Sequence, residues 1–283
     1  TLGLYLSRSI TSPIIQLAHS ANQIKNNFDQ KRKIVGFPKR NDEIGELSRA
    51  LVEMTSELQR RIRATGKFAA DVAHELKNPL TSLRSAVEMF PKTKNQQQQY
   101  KLLKIILSDV YRLDKLITDI SQTSRMDSEF SDLKPEEQNF SELINNWVQT
   151  SRKRYKNVKI IWDTNQPCYF VKIHTSRIIQ IFDNLLSNAV TFNLNNNIIK
   201  LNLIKIQNEV VFCMIDNGPG IRRGDEEKIF QRFYSERPSG EGFEVHSGLG
   251  LSIARQIAEA HGGSLLAKNV NEGGANFQLT LPL

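Results

Sequence analysis

Apolar side chains recur at Ile10, Ile14, Leu17, Ala21 and Ile24, at gaps of four, three, four and three residues. That spacing is a coiled-coil seam, narrower than the stripe of a helix docked on a globular core. A polar, basic connector punctuated by Gly36 and Pro38 follows. The seam resumes at Ile44, Leu47, Leu51, Met54 and Leu58. Each stripe is too narrow to bury both helices of a lone hairpin, so a dimeric bundle is expected. The second helix runs on into residues 67–90, where Ala69, Val72, Leu76, Leu83, Val87 and Phe90 continue the seam, with a break at Pro79. PKTKNQQQQ, residues 91–99, predicts a polar loop. Helical periodicity returns at Leu102, Ile105 or Ile106, Val110, Leu113, Leu116 or Ile117, and Ile120, which completes a long hairpin. MDSEFSDLKPEEQ, residues 126–138, reads as a linker and as the main domain boundary.

After Asn139 the pattern mixes periods. A helix is expected over 141–153, then strands in VKIIW and CYFVKI, then a helix over 176–190. Strands follow in IIKLNLIKI and EVVFCMID, then a glycine-rich region, a helix in LSIARQIAEAHG, and final strands in SLLAK and NFQLTLPL. Short strands with hairpin connections between helices predict an α+β sandwich with helices on one face of the sheet. The fold class is therefore α plus α+β.

Composition changes this picture little. The chain has 283 residues and a formal net charge of +8, with Lys31, Arg32, Lys33, Lys39, Arg40, Arg60, Arg61 and Arg63 crowded near its start. Only Phe37 interleaves with these charges, which argues against direct nucleic-acid binding. Cys168 and Cys213 have no metal-ligand spacing and read as core thiols of a reducing compartment. TLGLYL is far shorter than the roughly 20 apolar residues of a membrane span. Arg8 directly after it favours the last turn of a membrane helix, on its cytoplasmic side, over a ragged terminus.

Chemistry concentrates at three places. In ADVAHELKNPL, residues 70–80, His74 falls opposite Ala69 and Val72, on the outward face. Glu75 follows it and Asn78 lies one turn on. Neutral imidazole is a nucleophile near pH 7, and a neighbouring carboxylate can take its proton. An exposed helical histidine more often does nothing, so this cluster needs company. In MIDNGPGI, residues 214–221, Asp216 ends a strand and can accept from an exocyclic amine such as adenine N6, while Gly218 and Gly220 allow close backbone approach. The competing reading is a plain turn. In HSGLGLSIARQIA, residues 246–258, Gly248 and Gly250 open a helix whose free N–H groups can bind an anion. Between these loops lies a long segment of the kind that forms lids. Arg177, Gln180, Asn184 and Asn188 make an amide-rich stripe on the preceding helix, which suits a Mg²⁺–phosphate site better than a merely solvated face.

Taken together, these motifs resemble the sensor histidine kinases of bacterial two-component systems. Residues 7–62, with Pro13 and DEIGEL, resemble a HAMP signal-relay domain. HELKNPL resembles the phosphoacceptor box of the dimerisation hairpin, a four-helix bundle in the dimer. NLLSNA, DNGPGI, IFQRFY and GLGLSI resemble the N, G1, F and G2 boxes of a GHKL-type ATP-binding sandwich. FAADVAHELKNPLTSLRSAVE is similar to ChvG-type kinases of alphaproteobacteria. The resemblance implies that His74 accepts the γ-phosphoryl group, Glu75 acts as base and Asn78 positions water for phosphatase action. It implies that Asn188 ligates Mg²⁺, that Asn184 and Phe192 lie at the nucleotide and that Asp216 binds adenine. Gly218, Gly220, Ile221, Gly248, Leu249, Gly250 and Leu251 would shape the ATP pocket, with Phe230, Arg232 and Tyr234 in its lid. It further implies a homodimer, anchored in the inner membrane by a preceding helix with this portion cytoplasmic, and a cognate OmpR-like response regulator of ChvI type. Expected boundaries are 1–6 for the membrane helix end, 7–62, 63–127 for the hairpin, 128–138 for the linker and 139–283 for the ATP-binding domain.

Two positions depart from the family pattern. Thr191 and Phe192 stand where many relatives have a basic residue and Tyr, so a lysine contact to phosphate is missing. His246 stands where the first glycine of a GxGLGL pattern often lies. Hsp90-like and MutL-like ATPases share such a pocket but do not need HELKN on a hairpin. A signalling scaffold without catalysis would not need His74, Asn188 and Asp216 intact.

Overall fold

The computed structural model describes residues 3, 7–26, 40–132, 135–165, 167–192, 198–234, 247–270 and 273–283. The apolar start, the basic connector and His246 lie outside these described residues. Two compact units divide the chain, residues 1–74 and residues 75–283.

In the first unit a π-helical turn, Ser7–Thr11, leads into α1, Ser12–Asn26. Pro13 and Leu17 are buried while Ile10, Ile14 and Ile15 are exposed. Asp42 starts the next helix, α2, Glu43–Met89: its carboxylate accepts from the Gly45 N–H at 3.0 Å and holds the Arg40 guanidinium at 2.7 Å. An acidic cap suits the orphan N–H groups and positive pole of a helix start. The Arg40 side chain holds the Asp42 carboxyl below the usual carboxylate range. Leu47, Met54 and Leu58 of the seam are exposed. Among the described residues no helix is long and apolar enough to cross a membrane.

The break expected at Pro79 is absent. Helix α2 continues through it, and the Pro79 ring is buried. Proline removes one N–H from the ladder, and burial of its apolar ring compensates. The polar loop is shorter than expected. A 3-10 turn, Phe90–Lys92, precedes α3, Gln96–Asp132, so the glutamines form the first helical turn. The Asn95 side chain accepts from the Gln97 N–H at 2.9 Å, the capping signal that a glutamine run hides. Within α3, Leu116 is wholly buried whereas Val110 and Ile117 face out.

Among the described residues of 126–138, two stretches take regular structure. Helix α3 reaches Asp132, and β1, Glu136–Asn139, begins almost at once. Strand β1 pairs antiparallel with β3, Phe170–Ile173, an edge pairing that four polar residues do not advertise. Asn139 then caps α4, Phe140–Arg154, accepting from the Glu142 N–H. Strand β2, Lys159–Ile161, and α5, Thr175–Phe192, complete the first half of the sandwich. Strands β4, Ile198–Ile206, and β5, Glu209–Ile215, form a hairpin, followed by a 3-10 turn, Lys228–Phe230. The chain ends with α6, Gly250–Ala260, β6, Ser264–Asn269, and β7, Ala275–Pro282.

The main sheet has the order β2-β4-β5-β7-β6, antiparallel except for β2 with β4. Its inward residues, among them Ile199, Leu201, Phe212, Met214 and Leu279, pack with the apolar faces of α4, α5 and α6. Phe182 of α5 centres this core, with ring centroids 4.7 Å from Phe212, 5.1 Å from Trp147 and 5.9 Å from Phe140. Trp147 donates to Asp183 at 2.8 Å, which satisfies its indole N–H. Cys213 is buried on β5, as expected, and burial pushes its thiol pKa up. Cys168 is exposed, contrary to expectation, because it lies in the turn before edge strand β3.

Candidate active site

His74 is exposed on α2, and so is Asn78. Glu75 is half-buried and its Oε2 accepts from Nη2 of Arg112 on α3 at 2.9 Å. Residues near 74 thus offer an open imidazole followed in the chain by a fixed carboxylate.

The second locus gathers at one edge of the sandwich, in the unit of residues 75–283. Asp216 follows β5 and is only 4% exposed. Its Oδ1 accepts from the N–H groups of Gly218 at 2.9 Å and Ala275 at 3.1 Å. Burial raises its pKa, and those two hydrogen bonds oppose the shift. Among the described residues no hydrogen bond occupies Oδ2, which can therefore meet a ligand amine. Gly218 is needed for space: a Cβ there would lie 2.9 Å from the Phe192 carbonyl oxygen at the end of α5. The turn is pinned from β6. Asn269 donates to the Ile221 carbonyl at 2.7 Å and accepts from the Ile221 N–H at 2.6 Å. Sequence reading missed Asn269, since an asparagine ending a strand is no signal by itself.

Helix α6 opens beside this turn. Gly248 has φ +69°, and a Cβ on it would lie 2.8 Å from the Phe233 Cα. The Phe233 N–H donates to the Gly248 carbonyl at 2.8 Å, so the segment ending at Tyr234 and the glycine loop are laced together. No side chain caps α6, which leaves first-turn N–H groups for an anion. Asn184 donates to the Gly250 carbonyl at 3.1 Å and so ties the amide stripe to this helix. Asn188, one turn along, is half-exposed and carries no hydrogen bond among the described residues. A free amide oxygen is a hard donor that fits Mg²⁺ alongside phosphate oxygens and water. Among the described residues no group of three His, Cys, Asp or Glu could hold a metal by itself.

The segment from Asp225 to Tyr234 has its own supports. Phe230 is buried under the Arg255 guanidinium, 4.0 Å above its ring, and Arg255 also pairs with Glu227 at 2.7 Å. The Tyr234 hydroxyl donates to Asp225 at 3.1 Å, while Arg232 is half-buried beside it in sequence. Leu249 is wholly buried and Leu251 half-buried. Ser247 was not foreseen. Its hydroxyl donates to Asp119 of α3 and accepts from the Leu249 N–H, and both Ser247 and Asp119 are buried. Gln180 donates to Gln122 of α3 at 2.6 Å, a second tie between hairpin and sandwich.

Asn269→Ala is expected to lower the melting temperature by a few degrees and to weaken ATP-analogue binding up to about tenfold, because a loosened turn must be ordered again on binding. Two hydrogen bonds to Ile221, at about 1 kcal/mol each, hold that turn in the free protein. Calorimetric titration giving an unchanged Kd would remove Asn269 from the site.

The chain joins an exposed histidine on a long helix to an α/β sandwich with a buried carboxylate among glycine turns. Residues 5–60 match the HAMP domain and residues 64–129 match the His Kinase A (phospho-acceptor) domain. Residues 173–283 match the ATPase domain shared by histidine kinases, DNA gyrase B and HSP90. The chain belongs to the sensor histidine kinases. It is similar to the sensor protein ChvG of Agrobacterium fabrum, 44% identical over 99% of this chain and 50% of that protein. ChvG of Rhizobium meliloti is 43% identical over 99% of this chain and 51% of its own length. The chain spans about half the length of these relatives. Among solved structures it is similar to the histidine kinase ThkA in complex with the response regulator TrrA, with a TM-score of 0.65 and 26% identity, over 85% of this chain and 68% of that one.

Proposed function

We propose that this chain is the signalling and catalytic portion of a sensor histidine kinase that phosphorylates itself on His74 from ATP. The carrying observation is the pairing, in one chain, of an exposed His74 in a phosphoacceptor-type segment with the buried Asp216 and glycine-loop pocket. Adenine would donate its amine to Asp216 Oδ2, with Phe192 and Ile221 along its edges. Gly250 and Leu251 would present N–H groups to phosphate, with Gly248 and Leu249 shaping the turn before them, and Asn184 would hold that helix start in place. Asn188 would hold Mg²⁺, which would supply charge neutralisation on the triphosphate. One nitrogen of His74 forms a bond to the γ-phosphorus as the P–O bond to the β-phosphate breaks. ADP leaves with that electron pair, and the proton on the other ring nitrogen passes to Glu75.

The phosphoryl group would then pass to an aspartate of an OmpR-like regulator of ChvI type, with Asn78 placing water for the reverse hydrolysis. The exposed stripes at Leu47, Met54 and Leu58 favour a homodimer. The matched HAMP segment and the ChvG relatives support an inner-membrane kinase whose present residues are cytoplasmic. The domains would divide near residues 62, 127 and 138.

The test is labelling with γ-labelled ATP and Mg²⁺. Wild type is expected to take acid-labile, alkali-stable label, and His74→Gln to lose it by more than about a hundredfold, the scale of a missing nucleophile. Unlabelled wild type that still binds ATP would favour an ATPase of the shared fold. No ATP binding at all would leave a signalling scaffold.

A further inference from the structure

The exposed ion pairs along α2, such as Arg60 with Glu57 and Arg84 with Glu88, join neighbours on one helix in water, where such pairs contribute little. The pair between Arg112 and Glu75 is different. It ties two helices across 37 residues of sequence, and the two side chains are only 21% and 25% exposed. Only Oε2 of Glu75 is used, and among the described residues no hydrogen bond engages Oε1. The Nε of Arg112 is buried without a partner. An unsatisfied buried donor is unfavourable, so mere electrostatic padding does not account for an arginine here. A guanidinium presents its donors in a fixed plane, which sets the orientation of the carboxylate it holds.

We propose that Arg112 is a positioning residue for phosphorylation of His74. It holds Glu75 by Oε2 and leaves Oε1 to take the imidazole proton. This inference rests on the proposed kinase activity and on Glu75 as its base. In that step the nitrogen–phosphorus bond forms, ADP departs with the broken bond's electron pair, and the proton moves from the ring to Oε1. Arg112 keeps its own protons and touches neither ATP nor the imidazole. Loss of Arg112 frees the Glu75 carboxylate to rotate, which lowers the fraction of encounters with a base in place.

The experiment measures the initial autophosphorylation rate of the full chain at saturating ATP, with melting followed in parallel. The variants are Arg112→Ala, Arg112→Lys, Glu75→Gln and the Arg112→Ala/Glu75→Gln double variant. Arg112→Ala is expected to slow labelling about tenfold with the KM for ATP unchanged, as for a group that acts only on the chemical step. Arg112→Lys, which keeps a cation but not the planar fork, is expected to recover only a small part of that loss. In the Glu75→Gln background, itself slowed about a hundredfold, Arg112→Ala is expected to have no further effect. A rate for Arg112→Ala within about twofold of wild type would overturn the assignment. So would an equal loss in both backgrounds, the mark of a structural role. Wild type that takes no label would overturn the kinase reading and this assignment with it.

Discussion

Asp216→Asn is expected to remove most nucleotide affinity while leaving the apo protein no less stable at pH 7. Asparagine keeps an oxygen for the Gly218 and Ala275 N–H groups, so the turn survives. What it loses is the charged acceptor at Oδ2. A hydrogen bond to a charged group contributes about 1.5–3 kcal/mol, which is roughly tenfold to a hundredfold in Kd. The stability side follows from the raised pKa of the buried carboxyl. Because the folded-state pKa lies above the unfolded value, the native state binds more protons between the two. Stability from this group is present below the unfolded pKa near 3.8 and is lost as pH rises through the folded one. At pH 7 the ionised Asp216 therefore works against folding, and the amide relieves it. Thermal melts of both proteins from pH 4 to 8, beside titration with an ATP analogue, check both halves. Tight binding by the variant would take Asp216 out of the pocket; a much lower melting temperature at pH 7 would give the carboxylate a structural role.

Phe182→Ala is expected to destabilise the sandwich by about 3–5 kcal/mol. The side chain is fully buried, and its ring meets those of Phe140 and Trp147 from α4 and Phe212 from β5. Nothing nearby is mobile enough to fill the hole, since these rings are themselves anchored, Trp147 through Asp183. Domains hold about 5–15 kcal/mol in all, so the variant would keep a small margin. Denaturant unfolding followed by Trp147 fluorescence measures the loss, and a value under about 1 kcal/mol would show that the core repacks.

Much of this was legible in the sequence because two signals are local. Period identified both hairpin helices and the sandwich strands, and the amide stripe read on α5 lies opposite its buried face of Ile178, Ile181, Phe182, Leu185 and Ala189. Glycines marked the loops around Asp216 and Gly248, where close approach leaves no room for a side chain. The failures have a common cause, which is that long-range partners overrode local rules. Pro79 reads as a breaker until its ring is buried, and Glu136–Asn139 reads as linker until β3 pairs with it. Asn269, Ser247 and Arg112 act on residues 48, 128 and 37 positions away. No window of neighbouring residues contains that information.

The Ser247 hydroxyl bonds at once to the loop that opens α6 and to a hairpin residue, Asp119. One side chain therefore joins the loop that opens α6 to α3. If a ligand at that helix start prefers one placement of Ser247, linkage requires that α3, displaced, alter the ligand's affinity by the same free energy. A single buried hydroxyl would then give the helical hairpin a thermodynamic stake in whatever binds at the sandwich.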